Sequence, residues 1–545
     1  MSERMTGGRA IVEAVVRHGV DTVFGLPGAQ IYPLFDALAQ AKNRVRTITP
    51  RHEQAAGYMA YGYAKSTGRP GVYAVVPGPG VLNTAAALCT AWGCNAPVLC
   101  LTGQVPSEFL GRGRGHLHEL PDQLATMRTL VKWAQRVDQP GDTPHLVDEA
   151  FRQMQTGRPG PASLEMCWDV MATKAPVTFN GALQGTATPD VDPEAIDAAA
   201  AILNDAKTPM IMVGGGAQHA SEEVLALADT LDAPVTAFRS GRGIVSEDHE
   251  LGVSAAAAFE LWSDTDVLIG IGSRLELQYM RWAGMNRYID RPDSPPRLIR
   301  IDIDPLEMTR LKPHAGIVAD AADGARALSA AVDGARRDRE RIAAAKISAR
   351  KKIEPIQPQM AYLDAIRDVL PDDGFFVEEL CQVGFASNFG FPVRTPRTYV
   401  TPGFQGTLGF GYPTALGVKI GNPDRAVVSI NGDGGFMFGV QELATAAQYG
   451  IGVVALVFNN GAFGNVRRDQ KSIFDGRVIG ADFVNPDFVK LADSFGVRSA
   501  RVASPEALKP VLEEAIASDA PALIDIEIVP DSEASPWSII HPWAN

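Results

Sequence analysis

Residues 426–435 read Ala-Val-Val-Ser-Ile-Asn-Gly-Asp-Gly-Gly, and residues 453–461 read Val-Val-Ala-Leu-Val-Phe-Asn-Asn-Gly. Each is an apolar run of strand length that stops in a polar turn. Between them Val440, Leu443, Ala444 and Ala447 recur at helical spacing, so the segment reads as strand, helix, strand. Strands joined by a helix are parallel, and doubly wound parallel sheets bind ligands at their strand C-termini. Asp433 and Asn460 stand about one βαβ step apart at two such ends. One carboxylate and one amide oxygen converging there suit Mg²⁺, a hard ion that completes its shell with ligand phosphates. Gly432, Gly434 and Gly435 leave backbone N–H groups free to face a diphosphate. Either half alone would pass for an ordinary Asp-Gly or Asn-rich turn; the pair favours the metal–diphosphate reading.

The same alternation runs through the rest of the chain. Near the start, Ala10, Ile11, Ala14 and Val15 form a helical stripe closed by Gly19. Strands are expected at 22–24, 45–49 and 72–76, the last running into Pro77-Gly78-Pro79-Gly80, with a helix from about His52. Residues 171–193 mix Pro, Thr, Gly and Asn and read as a linker. Beyond it come strands at 209–213, ending in Gly214-Gly215-Gly216, at 267–271 and at 298–303. A charged helical run at 335–352 closes this region before Pro355 and Pro358. The expected architecture is α/β, with three doubly wound parallel-sheet domains at 1–172, 190–335 and 355–530, and a tail at 531–545.

Composition bounds the function. The 545 residues are 46% hydrophobic and 21% charged, as in a globular protein. A formal charge of −13 repels phosphate backbones, so nucleic-acid binding is not expected. Five cysteines are too few for a disulfide framework, and Cys89, Cys94 and Cys100 lie among apolar residues and read as buried thiols. Without a signal-type apolar run at the start or a stretch long enough to span a bilayer, the chain reads as cytoplasmic and free of the membrane.

The segment from Gly432-Asp433-Gly434 to Asn459-Asn460 resembles the cofactor motif of thiamine-diphosphate enzymes of the acetohydroxyacid synthase and 2-oxo acid decarboxylase superfamily. The resemblance extends over nearly the whole chain, in the order pyrimidine-binding, middle and diphosphate-binding domain. It implies Mg²⁺ held by the Asp433 and Asn460 side chains and the Ala462 carbonyl. Pro50-Arg51-His52-Glu53-Gln54-Ala55-Ala56-Gly57 is similar to the family's catalytic-glutamate segment, so Glu53 is implied to hydrogen-bond the aminopyrimidine N1′ and shuttle its proton. Read without the family, Glu53 is a first-turn glutamate favoured by the helix dipole. Gly406-Thr407-Leu408-Gly409-Phe410-Gly411 resembles the loop that grips the pyrimidine, with Leu408 at the residue that bends the cofactor. Gln382 falls at a diphosphate-side position, and Pro79, Asn83 and Gln104 match segments lining the thiazolium end.

Three departures bear on the reaction. Asp469 stands where the synthases carry a pocket tryptophan. Gly252-Val253-Ser254-Ala255 replaces their FAD segment, so FAD is not expected. Arg112-Gly113-Arg114-Gly115-His116-Leu117-His118-Glu119 places histidines where the synthases carry a Phe-Gln pair beside the substrate. His118, and secondarily His116, are candidate proton carriers on the intermediate; alternatively both merely cap a Gly-rich loop. The expectation is a Mg²⁺- and thiamine-diphosphate-dependent carboligase or decarboxylase acting on a 2-oxo acid, with a homodimer as minimum unit and a tetramer compatible. The rivals are a 2-hydroxyacyl-CoA lyase or oxalyl-CoA decarboxylase type, which would need a nucleotide-sized groove at the middle domain; a nicotinamide oxidoreductase; and a catalytically inactive binding protein. The aromatic tail, with Trp537 and Trp543, is a candidate lid.

Overall fold

In the computed structural model, residues 2–179, 181, 188–276, 282, 296–334 and 338–540 are described. Three six-stranded, wholly parallel sheets follow one another along the chain, as the alternating pattern requires. The first runs Arg46–Ile48, Thr22–Gly25, Gly71–Val75, Val98–Gln104, Ala162–Cys167, Trp133–Val137 across its width. The third runs Tyr399–Val400, Phe375–Val377, Val427–Gly432, Val453–Asn459, Ala522–Glu527, Arg498–Val502. Counting strands within each sheet in chain order, both are ordered 2-1-3-4-6-5, whereas the middle sheet is 3-2-1-4-5-6. In each sheet the winding direction reverses beside the first strand. Adjacent loops there diverge to opposite faces and leave a crevice at the strand C-termini.

The central strands are buried on both faces and are accordingly continuous apolar runs, Val453 to Phe458 among them. The first and third sheets share one core. The helix Glu53–Thr67 crosses the helix Gly411–Gly421 so closely that a Cβ at Gly62 would lie 2.2 Å from the Thr414 carbonyl oxygen, and one at Gly417 2.0 Å from that of Met59. Glycine is what permits that approach. Tyr58 and Tyr61 meet Phe410 edge-on at the same junction.

The structure corrects the reading in two places. The expected linker contains a strand, Lys174–Val177, paired antiparallel with Glu3–Thr6 in a two-stranded ribbon. Its residues 180 and 182–187 lie outside the described set, as do 335–337 of the charged run and 541–545 of the tail. The run itself is helical over Glu340–Ile353. The stripe after Asp433 is also out of phase. A 3₁₀ turn at Val440–Glu442 precedes the helix Leu443–Tyr449, so Glu442, Leu443, Thr445 and Ala446 are buried while Ala447 is exposed.

Candidate active site

The crevice of the third sheet opens between Phe375–Val377 and Val427–Gly432. It holds a cavity of ≈ 280 Å³ lined among others by Gln382, Leu408, Asp433, Asn460, Ala462 and Glu533. Asp433 opens a short helical turn, and both of its carboxylate oxygens accept hydrogen bonds, one on Oδ1 and two on Oδ2. Oδ1 accepts from the Gly434 N–H (2.9 Å), and Oδ2 from the Gly461 N–H and the Asn485 amide (2.7 Å each). Asn485 also donates to the Asn459 side chain (2.9 Å), so both asparagines of the motif are held. Asn460 Oδ1 accepts from the Ala462 N–H (3.1 Å), and its Nδ2 donates to Glu533 (2.8 Å).

Burial pushes both the Asp433 and the Glu533 carboxyl upward, and the Asp433 charge pushes Glu533 further. Two carboxylates and an amide oxygen in one pocket are a hard, anionic donor set that a divalent cation would neutralise. Glycine at the floor is required by the side chains packed against it. A Cβ at Gly434 would lie 2.5 Å from the Phe463 ring, and one at Gly435 2.3 Å from a Glu379 oxygen. The donors and the glycine cradle therefore fit a metal-bound diphosphate.

Leu408 is carried by a loop pinned from beneath. Buried Glu379 accepts from the N–H groups of Gly409 (2.5 Å) and Gly411 (3.3 Å), and burial raises its carboxyl to about 7. Gly406 is a left-handed turn residue (φ 58°) outside the cavity lining. The C-terminal segment packs against residues of the cavity wall. Trp537 packs on Phe385 with ring centroids 5.2 Å apart and donates from Nε1 to Asn465 (2.6 Å), both partners lining the cavity. Asn465 and Val466 line it as well, whereas Asp469, one turn on, is outside and accepts from Asn465 (3.4 Å).

No residue of 1–172 lines this cavity among those described. Glu53, Pro79, Asn83 and His118 gather instead at the first sheet. Glu53 follows the extended His52, whose Nδ1 caps the helix by accepting from the Gln54 N–H (3.1 Å). Arg51 is fixed ahead of it by donating its N–H to Glu442 of the third unit. The Asn83 amide donates to Glu53 Oε2 (3.0 Å), and Oε1 has no hydrogen-bond partner among the described residues. Pro79 opens the short helix Pro79–Asn83.

His118 Nδ1 lies 3.0 Å from Gln30 Oε1. Burial pulls its ring below the ordinary histidine range, opposed by the Glu53 charge. Gln104 is turned inward: its Oε1 accepts from the Val105 N–H (2.8 Å) and its Nε2 faces buried Glu165 (3.4 Å), so it stands behind the Glu53 group rather than on its surface. His116 does not join the group either. Its ring packs on Phe109 (3.9 Å between centroids).

Sequence reading missed Gln30, Gln123, Glu165, Glu379, Asn485 and Glu533. Gln123 donates to Glu165 (2.8 Å) and accepts from the Gly78 N–H (2.8 Å), and Arg136 closes on Glu165 at 2.6 Å. None of these residues lies in a Gly-rich motif; an acid inside an apolar strand, Glu165, was the one available signal.

The middle sheet's crevice, between Pro209–Val213 and Val267–Ile271, holds a second cavity of ≈ 380 Å³. Gly215 and Gly216, Ser273, Asp302, Asp320 and four cations (Lys65, Arg158, Arg274, Arg397) line it. The glycine triplet enters a 3₁₀ turn at Gly215–Ala217, and the next helix begins only at Ser221, so no long helix N-terminus faces this crevice directly after the strand.

Family models match all three units. The N-terminal TPP binding domain of thiamine pyrophosphate enzymes matches residues 5–126, the central domain 196–328 and the C-terminal TPP binding domain 381–526. The chain is 34% identical over 506 residues to a probable 2-ketoarginine decarboxylase of Pseudomonas aeruginosa, covering 90% of this chain and 88% of that protein. It is 34% identical over 562 residues to a probable acetolactate synthase large subunit of Methanocaldococcus jannaschii (98% and 93%). With the acetolactate synthase isozyme 1 large subunit of Escherichia coli the identity is 29% over 560 residues (99% and 97%).

Proposed function

The chain belongs to the thiamine pyrophosphate enzymes, and from that premise we propose that it is a Mg²⁺-dependent decarboxylase or carboligase of a 2-oxo acid. The carrying observation is the Asp433 carboxylate buried beside the Asn460 amide oxygen and Leu408 in one glycine-floored cavity. Asp433, Asn460 and the Ala462 carbonyl would hold the metal, with Gln382, Gly432, Gly434 and Gly435 about the diphosphate and the 406–411 loop against the pyrimidine. Thiamine diphosphate, when bound, supplies a nucleophilic carbon and an electron sink for the pair left behind as CO₂ departs.

The protein's own part is proton handling and water exclusion. Asn83 occupies Glu53 Oε2, so Oε1 is the oxygen that would hold and return the proton at the aminopyrimidine N1′. His118, on which the Glu53 charge acts, would give a proton to, or withhold it from, the product carbon. Protonation yields an aldehyde, and capture by a second carbonyl a hydroxyketone. Docked Trp537 and the Asn465–Val466 stretch would shield the mouth from water.

The Glu53 group and the Asp433 cavity are separate within one chain, which supports a homodimer in which Glu53 of one copy completes the cavity of the other. Mixing Glu53→Gln with Asp433→Ala subunits should then restore part of the activity each lacks. Domain limits of 1–172, 190–335 and 355–530 and a cytoplasmic location belong to the same reading. No helix among the described residues is long and apolar enough to cross a membrane.

A second reading rests on the cation-lined cavity of the middle sheet, the kind of nucleotide-sized groove that an acyl-CoA substrate needs. The deciding experiment measures CO₂ release and product identity over a panel of 2-oxo acids, with Mg²⁺ and thiamine diphosphate, beside Glu53→Gln. Turnover abolished by that change supports the first reading. No turnover with any free 2-oxo acid, but turnover with acyl-CoA substrates, replaces it with the second.

A further inference from the structure

Gln30 and His118 are 88 positions apart, and both hold left-handed backbone, at φ 69° and 66°. Side chains other than glycine adopt that conformation at a cost, and it persists where surrounding structure imposes it. Glycines make the room. A Cβ at Gly103 would lie 2.1 Å from the Gln30 carbonyl oxygen, and one at Gly78 2.5 Å from that of His118. Gln123 ties those two glycines together, accepting from the Gly78 N–H (2.8 Å) and donating to the Gly103 carbonyl (3.1 Å). The frame around the Gln30–His118 contact is thus clamped on both sides.

Within that frame the hydrogen-bond directions are determined. Gln30 Nε2 lies 2.6 Å from the Leu117 carbonyl oxygen. A carbonyl only accepts, so the amide nitrogen must face it; a flipped amide would bring two oxygens to that distance. The Gln30 oxygen consequently faces the imidazole at 3.0 Å, and it too can only accept. His118 Nδ1 must therefore carry a hydrogen, and in the neutral ring the lone pair is left on Nε2. Nε2 has no hydrogen-bond partner among the described residues, and Glu53 is the charged group that acts on this ring.

We infer that Gln30 is a positioning residue that fixes His118 as the Nδ1–H tautomer and leaves Nε2 as the exchangeable proton site. This deepens the reading in which His118 handles a proton on the substrate, and rests on it for its use in turnover; the tautomer itself does not depend on it.

The test uses the holoenzyme labelled with ¹⁵N-histidine and no substrate, so the tautomer is read independently of activity. Nine histidines make His118 assignable by its loss in His118→Gln. The expected wild-type spectrum at neutral pH has a protonated Nδ1 and an unprotonated Nε2. Gln30→Met, which fills the same volume without an acceptor, should lose the single tautomer. Thermal unfolding of Gln30→Met reports whether the frame survives. A wild-type ring protonated at Nε2, or a Gln30→Met enzyme that stays folded and keeps the Nδ1–H form, overturns the assignment. An Nδ1–H spectrum together with unchanged kcat and products in His118→Gln upholds it and removes His118 from the reaction instead.

Discussion

The side-chain amide of Asn460 donates to the carboxylate of Glu533 across 2.8 Å, tying the C-terminal segment to the loop that follows the strand Val453–Asn459. The Asn460 oxygen is left facing the Ala462 N–H at the cavity. Orientation of a candidate metal ligand thus depends on a residue 73 positions away.

Replacing Glu533 by Ala should free the Asn460 amide to rotate. Loss of a hydrogen bond to a charged group is worth about 1.5–3 kcal/mol. Mg²⁺ affinity in the presence of thiamine diphosphate should therefore fall roughly ten- to a hundredfold, with Glu533→Gln less affected because an acceptor oxygen remains. Titration of the apoenzyme with Mg²⁺ measures this, and equal affinities in all three proteins would exclude the coupling.

Truncation after Asp531 removes Glu533 together with Trp537, which packs on Phe385, and Ile540, which is buried. If the tail covers the mouth, KM for substrate and the cofactor dissociation constant should rise while the fold survives. Unchanged turnover and affinity would leave the tail as a docked end with no part in the site.

Glu379 offers a pH test. Burial raises its carboxyl from 4.5 to about 7, so between those values the folded protein binds more protons than the unfolded chain. Stability therefore falls as pH rises through this window, by about 3 kcal/mol at most. Glu379→Gln should flatten that descent. Denaturant midpoints at pH 5 and pH 8 for both proteins decide it, and parallel curves would contradict the assignment.

Gly417→Ala would place a Cβ 2.0 Å from the Met59 carbonyl, a backbone atom that cannot swing aside. Separating the helices Glu53–Thr67 and Gly411–Gly421 should cost about 1–3 kcal/mol or more. It should also displace Glu53 and the 406–411 loop, which those helices carry. Thermal unfolding with activity of the folded fraction checks both; full stability would show that the crossing can relax.

Glu53→Gln keeps the shape and the Asn83 contact but removes the acid. Turnover should fall about 10²- to 10⁴-fold, the usual size of a general acid–base contribution. Thiamine diphosphate binding, measured separately, should change far less.

The sequence by itself determined what is local. Apolar runs of strand length, helical spacing between them and glycines at the turns specify alternating strands and helices, and strands joined by crossovers must be parallel. The pairs Asp433 with Asn460 and Glu53 with its helix were legible for that reason: each residue sits beside a strand end or cap that its neighbours define. What only the tertiary structure decided is which distant groups meet there. Glu533 reaches Asn460, Gln30 reaches His118, Gln123 bridges Gly78 and Gly103, and Glu379 pins the loop at Gly409, all across long stretches of chain. Gln104, which by resemblance matches a segment lining the thiazolium end, turns inward toward buried Glu165. Such contacts follow from how sheets and loops pack. A buried polar group takes whichever partner the fold brings within hydrogen-bond reach, and no periodicity in the chain records that partner.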